Sequence, residues 1–422
     1  MTQAIPFKTN PAKSLVAAFL GYALDAMDWM MLAIALPLIM QSLHLSIVQG
    51  GLLSMATLGG AAVGGLFSGI IADYFGRTKT LIFIILWYAV FTAICGFTQS
   101  YEQLIVLRVL VGLGLGGEWG VGSALVAENY PVEKRAKATA VVQCGWPTGY
   151  GMAVILSMLV IPWWGWRGLF FIGILPAFFT LWIRVSVPEP ESWKKSKEQL
   201  SQAGARQNFP YAVLFSRKYI FRLIVAIFVF GLPAMGYWGV STWLPTYLSE
   251  TRGLNLFKSG PFLILLNVGG AISYLLFGCL ADKTGRRIAW GSGVALALVS
   301  ILVFVKISTN TALLIFSPVL GFCTYGFIGI MGAYQAELFP QEARATALTF
   351  LNACSRFFSM FAPYIIGALA ATKGMAFGFA STAIVYFISL ILVPLLPETR
   401  KIGSKFSLKY NGIDRWKPKV LR

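Results

Sequence analysis

Five ionisable side chains interrupt long apolar stretches of this 422-residue sequence. They are Asp25, Asp28, Arg108, Glu118 and Arg356. A carboxyl group held away from water binds a proton more readily, whereas a guanidinium keeps its charge and offers a planar fork of donors to a carboxylate. These residue types therefore predict proton binding at the acids and anion binding at an arginine.

The spacing of the charged residues sharpens that prediction. Asp25 and Asp28 are three residues apart, so a helix places them on one face, where two ionised carboxylates repel each other. We predict Asp25, Asp28 and Glu118 as proton carriers. We predict Arg356 and Arg108 as the charged part of a site for a small organic anion. Three alternatives stay open. Arg108 could pair with one of the acids as an internal lock, Arg356 could be purely structural, and Asp28 could be a buried, permanently protonated hydrogen-bond donor.

Eight uncharged side chains in the same apolar stretches could complete such a site with aromatic surface or hydrogen-bonding groups. They are Trp29, Gln143, Trp146, Tyr150, Tyr237, Asn267, Tyr325 and Asn352. The sequence shows no nucleophile–base pair and no cluster of metal ligands. It therefore predicts neither an enzyme nor a metal site, and no cofactor other than a proton.

The elements that must position these charges are transmembrane helices. Hydrophobic residues make up 57% of the chain and charged residues 12%, whereas soluble domains carry about 25% charged residues. Apolar windows separated by charged residues, Gly and Pro predict twelve spans. Their limits are 14–40, 50–72, 79–98, 103–127, 138–160 and 167–187, then 219–248, 258–281, 288–306, 311–335, 346–370 and 374–396. The fold class is therefore predicted as all-α integral membrane.

The spans divide into two six-helix bundles. We predict an N-terminal bundle at 1–187, a cytoplasmic linker loop at 188–218, a C-terminal bundle at 219–399 and a basic cytoplasmic tail at 400–422. Of the 34 Lys and Arg residues, 27 fall on the side of the termini and five in the loops of the other side. Because cytoplasmic loops carry the excess of Lys and Arg, both termini are predicted in the cytoplasm.

The same distribution accounts for the net charge of +18 without nucleic acid. We therefore expect no nucleic-acid partner. The expected partners are a small solute and the lipid bilayer. We expect a multi-pass monomer in the plasma membrane of a bacterium.

The two halves repeat the same pattern of Gly, Pro and charged residues at the ends of their spans, with an offset of 209 residues. Gly69-x3-Asp73-x2-Gly76-Arg77 recurs as Gly278-x3-Asp282-x2-Gly285-Arg286, Glu128-x2-Pro131-x3-Arg135 recurs as Glu337-x2-Pro340-x3-Arg344, and Pro188-Glu189 recurs as Pro397-Glu398. Since three separate features keep one offset, the halves are predicted to be parallel structural repeats.

The charges inside the spans break this repeat. Adding 209 takes Asp25 to Ala234 and Glu118 to Phe327, and subtracting it takes Arg356 to Pro147. The halves have therefore diverged where a solute would bind. An ionised group at the bilayer centre costs about 2.5–3.5 kcal/mol on insertion scales, so such groups tend to face a wet cavity or a partner.

The duplicated G-x3-D-x2-G-R motif resembles the signature of the major facilitator superfamily. This resemblance implies that two charge clusters lock the cytoplasmic side and break when the protein opens inward. The first cluster would contain Asp73, Arg77, Glu128 and Arg135, and the second Asp282, Arg286, Glu337 and Arg344. The alternative is that these charges only set the topology.

Two further stretches resemble the sialate:proton symporter family. They are Gly21-Tyr22-Ala23-Leu24-Asp25-x2-Asp28 and Arg108-x3-Gly112-x-Gly114-x-Gly116-Gly117-Glu118. The resemblance implies proton-coupled uptake of a monocarboxylate, sugar acid or aromatic acid by alternating access. The alternatives are an exporter or antiporter, a uniporter of a neutral metabolite, and a membrane sensor that does not transport. The glycines of the second stretch also predict close helix packing.

Overall fold

A computed structural model describes residues 11–130, 138–139, 141–189, 211–340 and 343–399, and these residues form helices and no strands. Spans 1–3 are Pro11–Ser42, Ile47–Phe75 and Arg77–Cys95, and span 4 is Tyr101–Leu115 followed by Glu118–Asn129. Spans 5 and 6 together comprise the helices Gly145–Ile172 and Leu175–Ser186, and the boundary between the two spans lies inside the first of these helices. Spans 7–12 are Ile220–Thr246, Leu256–Thr284, Arg286–Lys306, Asn310–Glu337, Arg344–Lys373 and Met375–Leu392. Shorter helical turns are Tyr211–Leu214, the π-helical Tyr247–Thr251 and the 3₁₀ turn Val393–Leu395.

The predicted number of twelve spans is confirmed by one break in a long helix. Eleven helical stretches of the described chain are long and apolar enough to cross a membrane, and Val141–Ile183 among them has 43 residues. This is about twice the length that one crossing needs. At Gly165 the backbone leaves the helix, with φ 61° and ψ −167°. Two spans therefore meet at Gly165.

Span 4 differs from the prediction of one continuous helix. Its two helices meet at Gly116 and Gly117, and a Cβ on Gly116 would overlap the carbonyl oxygen of Ala61 in span 2. Close contact between the helices thus requires glycine here, which confirms the predicted packing role. As a result Glu118 begins a new helical segment, where its carboxyl group enters the protein interior.

The internal repeat is visible as identical close contacts in the two halves. In the first half, a Cβ on Gly60 or on Gly112 would overlap the backbone carbonyl of Val109 or of Thr57, respectively. The same overlaps arise for Gly269 with Pro318 and for Gly321 with Leu266. Each pair is shifted by the offset of 209 seen in the sequence. Spans 2 and 4 therefore pack as spans 8 and 10 do, with backbones touching.

A glutamate from the end of each half caps a helix in that half. Glu189 accepts hydrogen bonds from the backbone N–H groups of Thr78 (3.1 Å) and Lys79 (2.9 Å), at the start of span 3. Glu398 accepts them from Arg286 (2.7 Å) and Arg287 (3.1 Å), at the start of span 9. Carboxylates at helix N-termini satisfy unpaired N–H groups and the helix dipole. The sequence showed these glutamates only as part of the repeat.

Six spans separate Pro11 from Glu189 and six separate Glu189 from Thr399, so these ends lie on one face, here called the termini side. Ser42 ends span 1 and lies on the opposite face, the far side. The halves meet through spans 1 and 7, 2 and 11, and 5 and 8. On the far side, a Cβ on Gly51 would lie 2.6 Å from the Pro363 carbonyl oxygen, and one on Gly260 would lie 2.6 Å from the Met158 sulfur. The two halves are therefore in direct contact at their far-side ends.

The membrane-facing surface is apolar. Large hydrophobic side chains such as Phe67, Trp163, Phe178, Phe221 and Ile315 are 58–84% exposed. Exposed apolar side chains in this number are rare on soluble monomers. Residues 190–210 of the linker predicted at 188–218 lie outside the described residues. The predicted tail at 400–422 and Arg135 also lie outside them.

Gly285→Ala tests the cap at span 9. Gly285 has φ 109°, and a Cβ there would overlap the Glu398 carboxylate. We expect a loss of about 1–3 kcal/mol of stability from backbone strain alone, measured as a lower unfolding temperature of the detergent-purified protein. Gly278→Ala is the matched control, since no atom lies within 4 Å of its Cβ position. Equal unfolding temperatures for both variants would contradict the assigned cap.

Candidate functional site

A central cavity of about 150 Å³ lies between the two halves. Seven of the side chains predicted from the sequence line it: Asp25, Trp29, Gln143, Trp146, Tyr237, Asn352 and Arg356. Spans 1, 4 and 5 contribute its first wall, and spans 7 to 11 contribute the second. The lining continues toward the termini side through Trp119, Gln143 and Asn352, which are partly exposed.

Arg356 is the one cation of this lining. It lies in span 11 and is partly accessible from the cavity. Among the described residues it makes no hydrogen bond and no ion pair within 4 Å. Its guanidinium interacts electrostatically with the carboxyl groups of Asp25 and Glu118 on the other half. Arg356 therefore presents a positive charge to the cavity with its hydrogen-bonding capacity unused.

Glu118 is fully buried behind the wall of the cavity. Both of its carboxyl oxygens lack a hydrogen-bond partner within the described chain. The carboxyl group lies directly on Gly21, where a Cβ would overlap Oε1. Since Gly21 and Asp25 are one helical turn apart on the same face, the two acids are neighbours. A buried ionised carboxylate without partners is costly, so this environment favours the protonated form.

Asp25 lines the cavity from span 1 and is 1% exposed, with Oδ1 unpartnered in the described part of the chain. Together with Glu118 and Arg356 it forms what we call the central cluster. Two acids come from the first half and one arginine from the second. The cluster thus joins the halves electrostatically across the cavity.

Asp28 and Arg108 form a separate ion pair. Arg108 Nη1 lies 3.4 Å from Asp28 Oδ1, Arg108 Nε donates to the Thr57 hydroxyl (3.1 Å), and the Thr92 hydroxyl donates to Asp28. Both charged side chains are at most 1% exposed and neither lines the cavity. Spans 1 to 4 are joined by these bonds. Arg108 is therefore paired with an acid inside the first half, as the alternative of an internal lock predicted. It does not line the cavity, so the structure does not support its predicted role in anion binding.

Three other predicted residues also lie off the cavity. Tyr325 donates to Asn267 (3.1 Å), and its ring packs 5.1 Å from that of Tyr237. Tyr150 is fully buried, and its hydroxyl has no partner among the described residues. They support the cavity wall from behind.

Sequence reasoning missed much of the aromatic lining, including Tyr22, Trp119, Trp238 and Tyr274. Trp29 and Trp238 pack with ring centroids 4.7 Å apart, and Trp146 packs on Trp238 at 5.5 Å. Trp146 Nε1 donates to the Tyr237 hydroxyl (2.6 Å) across the halves. Aromatic residues make up 14% of the sequence, so their type alone could not distinguish lining from lipid-facing positions.

Trp29 and Trp238 also line a second, smaller cavity of about 10 Å³. Its other walls include Ser54, Thr57 and Thr242. The two indoles thus separate the central cavity from a small void between spans 1, 2 and 7. With the far-side contacts described above, the central cavity is closed toward the far side.

The predicted charge clusters lie on the termini side. In the second cluster Arg286 contacts Asp282 (2.6 Å) and Glu337 (3.4 Å), and the Thr399 hydroxyl donates to Glu337 (2.5 Å). Arg344 donates to the carbonyl of Ala336 (2.9 Å). In the first cluster, Arg77 begins span 3, while Arg135 and the side chains of Asp73 and Glu128 lie outside the described part of the structure.

Comparison with known proteins identifies this architecture. The family model of the major facilitator superfamily matches residues 18–328 and 265–418. The chain belongs to this superfamily. A protein from Haemophilus influenzae that is named as a metabolite transport protein is 35% identical over 92% of this chain and 96% of its own. The cis,cis-muconate transport protein of Acinetobacter baylyi is 31% identical over 91% of this chain and 94% of its own.

A solved facilitator structure confirms the fold. The bacterial homologue of the human lysosomal transporter Spinster, in an inward-facing and occupied conformation, matches with a TM-score of 0.73 and 18% identity, over 93% of this chain and 97% of that one. The family match and the relatives, rather than this structure, make the chain a multi-pass membrane transport protein and not an enzyme.

The two arginines inside the spans should respond differently to removal. Arg108→Leu leaves Asp28 buried without its partner, which costs about 3–5 kcal/mol. Arg356→Leu removes no ion pair from the described protein, so we expect a much smaller loss. The measurement is the unfolding temperature of the two purified variants. A double variant, Asp28→Leu/Arg108→Leu, should recover part of the first loss; equal losses at both arginines would contradict the assignment.

Proposed function

We propose that this facilitator is a proton-coupled symporter that takes up a small organic anion by alternating access. The observation that carries the proposal is Arg356, a cation in the central cavity without an ionic partner in the described chain, facing two unpaired acids on the other half. A desolvated guanidinium without a counter-ion favours a bound anion. Relatives are named as transporters of cis,cis-muconate, niacin, sialic acid and 4-hydroxybenzoate.

The cavity walls favour a flat, unsaturated carboxylate over a sugar acid. The lining is largely aromatic, and aromatic rings pack best on other flat rings or conjugated groups. Two of its indole N–H groups are already used, by Trp146 on Tyr237 and by Trp119 on Gln143 (2.7 Å). The hydroxyl groups of a sugar acid would lose water here and find few partners, at a cost for each.

Glu118 and Asp25 are proposed as the proton-binding groups. Both are buried with at least one unpartnered oxygen within the described chain, and both face Arg356 electrostatically. An anion at Arg356 withdraws the positive charge that favours their ionised forms. Binding of the anion and binding of a proton therefore support each other. Asp28 is less suited, because Arg108 and the Thr92 hydroxyl already hold its two carboxyl oxygens.

The excess of Lys and Arg on the termini side supports a cytoplasmic location of both termini. The cavity, closed on the far side, then faces the cytoplasm, which corresponds to an inward-facing state. To open outward, the halves would separate along spans 2 and 11 and spans 5 and 8. They would also part Trp29 from Trp238. The cluster of Asp282, Arg286 and Glu337 lies where the termini side would close.

Arg356→Gln tests the anion site. Removing a charged hydrogen-bonding partner of about 1.5–3 kcal/mol weakens binding about 10- to 100-fold. Arg356→Lys should lose less, because it keeps the charge but not the planar fork. The measurement is uptake of labelled nicotinate and 4-hydroxybenzoate by cells that express equal amounts of each variant.

The control is Arg217→Gln, which changes an exposed arginine outside the cavity. Wild-type uptake by Arg356→Gln would exclude the proposed anion site. The direction of coupling has its own readout, since external acidification should speed uptake. If acidification slows accumulation instead, the protein is an exporter.

A further inference from the structure

Three side chains set the net charge around the central cavity. Asp25 and Glu118 contribute one negative charge each when ionised, and Arg356 contributes one positive charge. The other titratable groups around the cluster and its cavity are Tyr22, Asp28, Tyr88, Arg108, Tyr237 and Tyr274. Asp28 and Arg108 cancel each other as an ion pair. The four tyrosines are phenols, which are neutral at physiological pH.

The central cluster of Asp25, Glu118 and Arg356 is called the centre from here on. Without a bound anion, the centre is neutral only when it holds one proton. With both acids ionised its net charge is minus one, in surroundings where Glu118 is fully buried and Asp25 is 1% exposed. Neighbouring buried carboxyl groups disfavour double ionisation and titrate as a pair. One proton shared between Asp25 and Glu118 balances Arg356. This state needs no counter-ion other than that proton.

A bound monoanion changes the balance by one charge. When its carboxylate pairs with Arg356, the centre returns to minus one unless a second proton enters. The second acid of the pair is available to take it. The centre is thus neutral in only two states, with one proton and no anion, or with two protons and one anion.

Resting on the symport proposed above, we infer that one proton moves with each monoanion and that the transport cycle carries no net charge. The first proton stays in the centre throughout. A half-loaded centre, with only the extra proton or only the anion, carries a net charge between two halves that must move past each other. Such states are disfavoured, which couples the two fluxes tightly.

Reversal of flux in proteoliposomes tests this ratio. Labelled nicotinate and 4-hydroxybenzoate are the probes, and uptake by protein-free liposomes is subtracted. When the probe is about tenfold more concentrated inside, the protein-dependent flux should vanish if the outside is more acidic by about one pH unit. Potassium and valinomycin set the membrane potential. The reversal point should be the same at zero and at inside-negative potential.

Each deviation has a definite meaning. A reversal point that shifts with membrane potential overturns the one-to-one ratio while leaving proton symport in place. Protein-dependent flux that ignores the pH gradient overturns proton coupling and, with it, the proposed function. If neither probe moves under any gradient, the anion site and the inferred ratio both fail.

Variants separate charge balance from a structural role. In Glu118→Gln, Asp25 alone balances Arg356 when the centre is empty and takes the proton when the anion binds. We therefore expect the one-to-one ratio to persist. In Asp25→Asn/Glu118→Gln, the anion alone neutralises Arg356, so flux should follow the membrane potential and ignore the pH gradient. A double variant that still reverses with pH contradicts the inference; if it fails to fold, the wild-type reversal point decides.

Discussion

A charge removed from water must be balanced close by, and this constraint organises the interior of the protein. Arg108 meets it by pairing with Asp28 and donating to Thr57, and with the Thr92 hydroxyl on Asp28 these bonds join spans 1 to 4. Arg356 has no such partner in the described chain and reaches into the cavity. The first arginine holds one half together. The second has no acid of the described chain within 4 Å and interacts with Asp25 and Glu118 only across the cluster, and this difference underlies the proposed site.

The internal repeat shows which parts of the molecule are scaffold. Close glycine contacts and glutamate caps recur with the offset of 209, so both halves use the same helix packing. At the central cluster the symmetry ends, because Phe327 occupies the position of Glu118 and packs on Trp290 at 5.2 Å. The acids belong to one half and the arginine to the other. Charge balance therefore spans the interface along which an alternating-access transporter must move.

Much of the fold follows from the sequence. Hydropathy predicted twelve spans because lipid requires long apolar helices, and the 209-residue offset predicted two equivalent halves. The helix ends were less predictable, since the break at Gly116 and Gly117 depends on contact with span 2. The glutamate caps also depend on tertiary contact, because Glu189 and Thr78 are 111 residues apart in the chain.

The site was only partly predictable. An ionisable residue in an apolar span is conspicuous, so the sequence identified all three members of the central cluster. Partner choice was not predictable, because Asp25 and Asp28 share a helical face and only the packing of spans 1 to 4 decides which one meets Arg108. Hydropathy also cannot show how a helix is rotated, so Trp238 and Tyr274 were missed although they line the cavity.

Proton uptake on anion binding tests the central claim most directly, because it needs neither transport nor a known orientation. Calorimetric titration of the purified protein with nicotinate, in two buffers of different ionisation enthalpy, gives the number of protons taken up per bound anion. Charge balance at Asp25, Glu118 and Arg356 predicts about one proton per anion at neutral pH. Binding without proton uptake would contradict it.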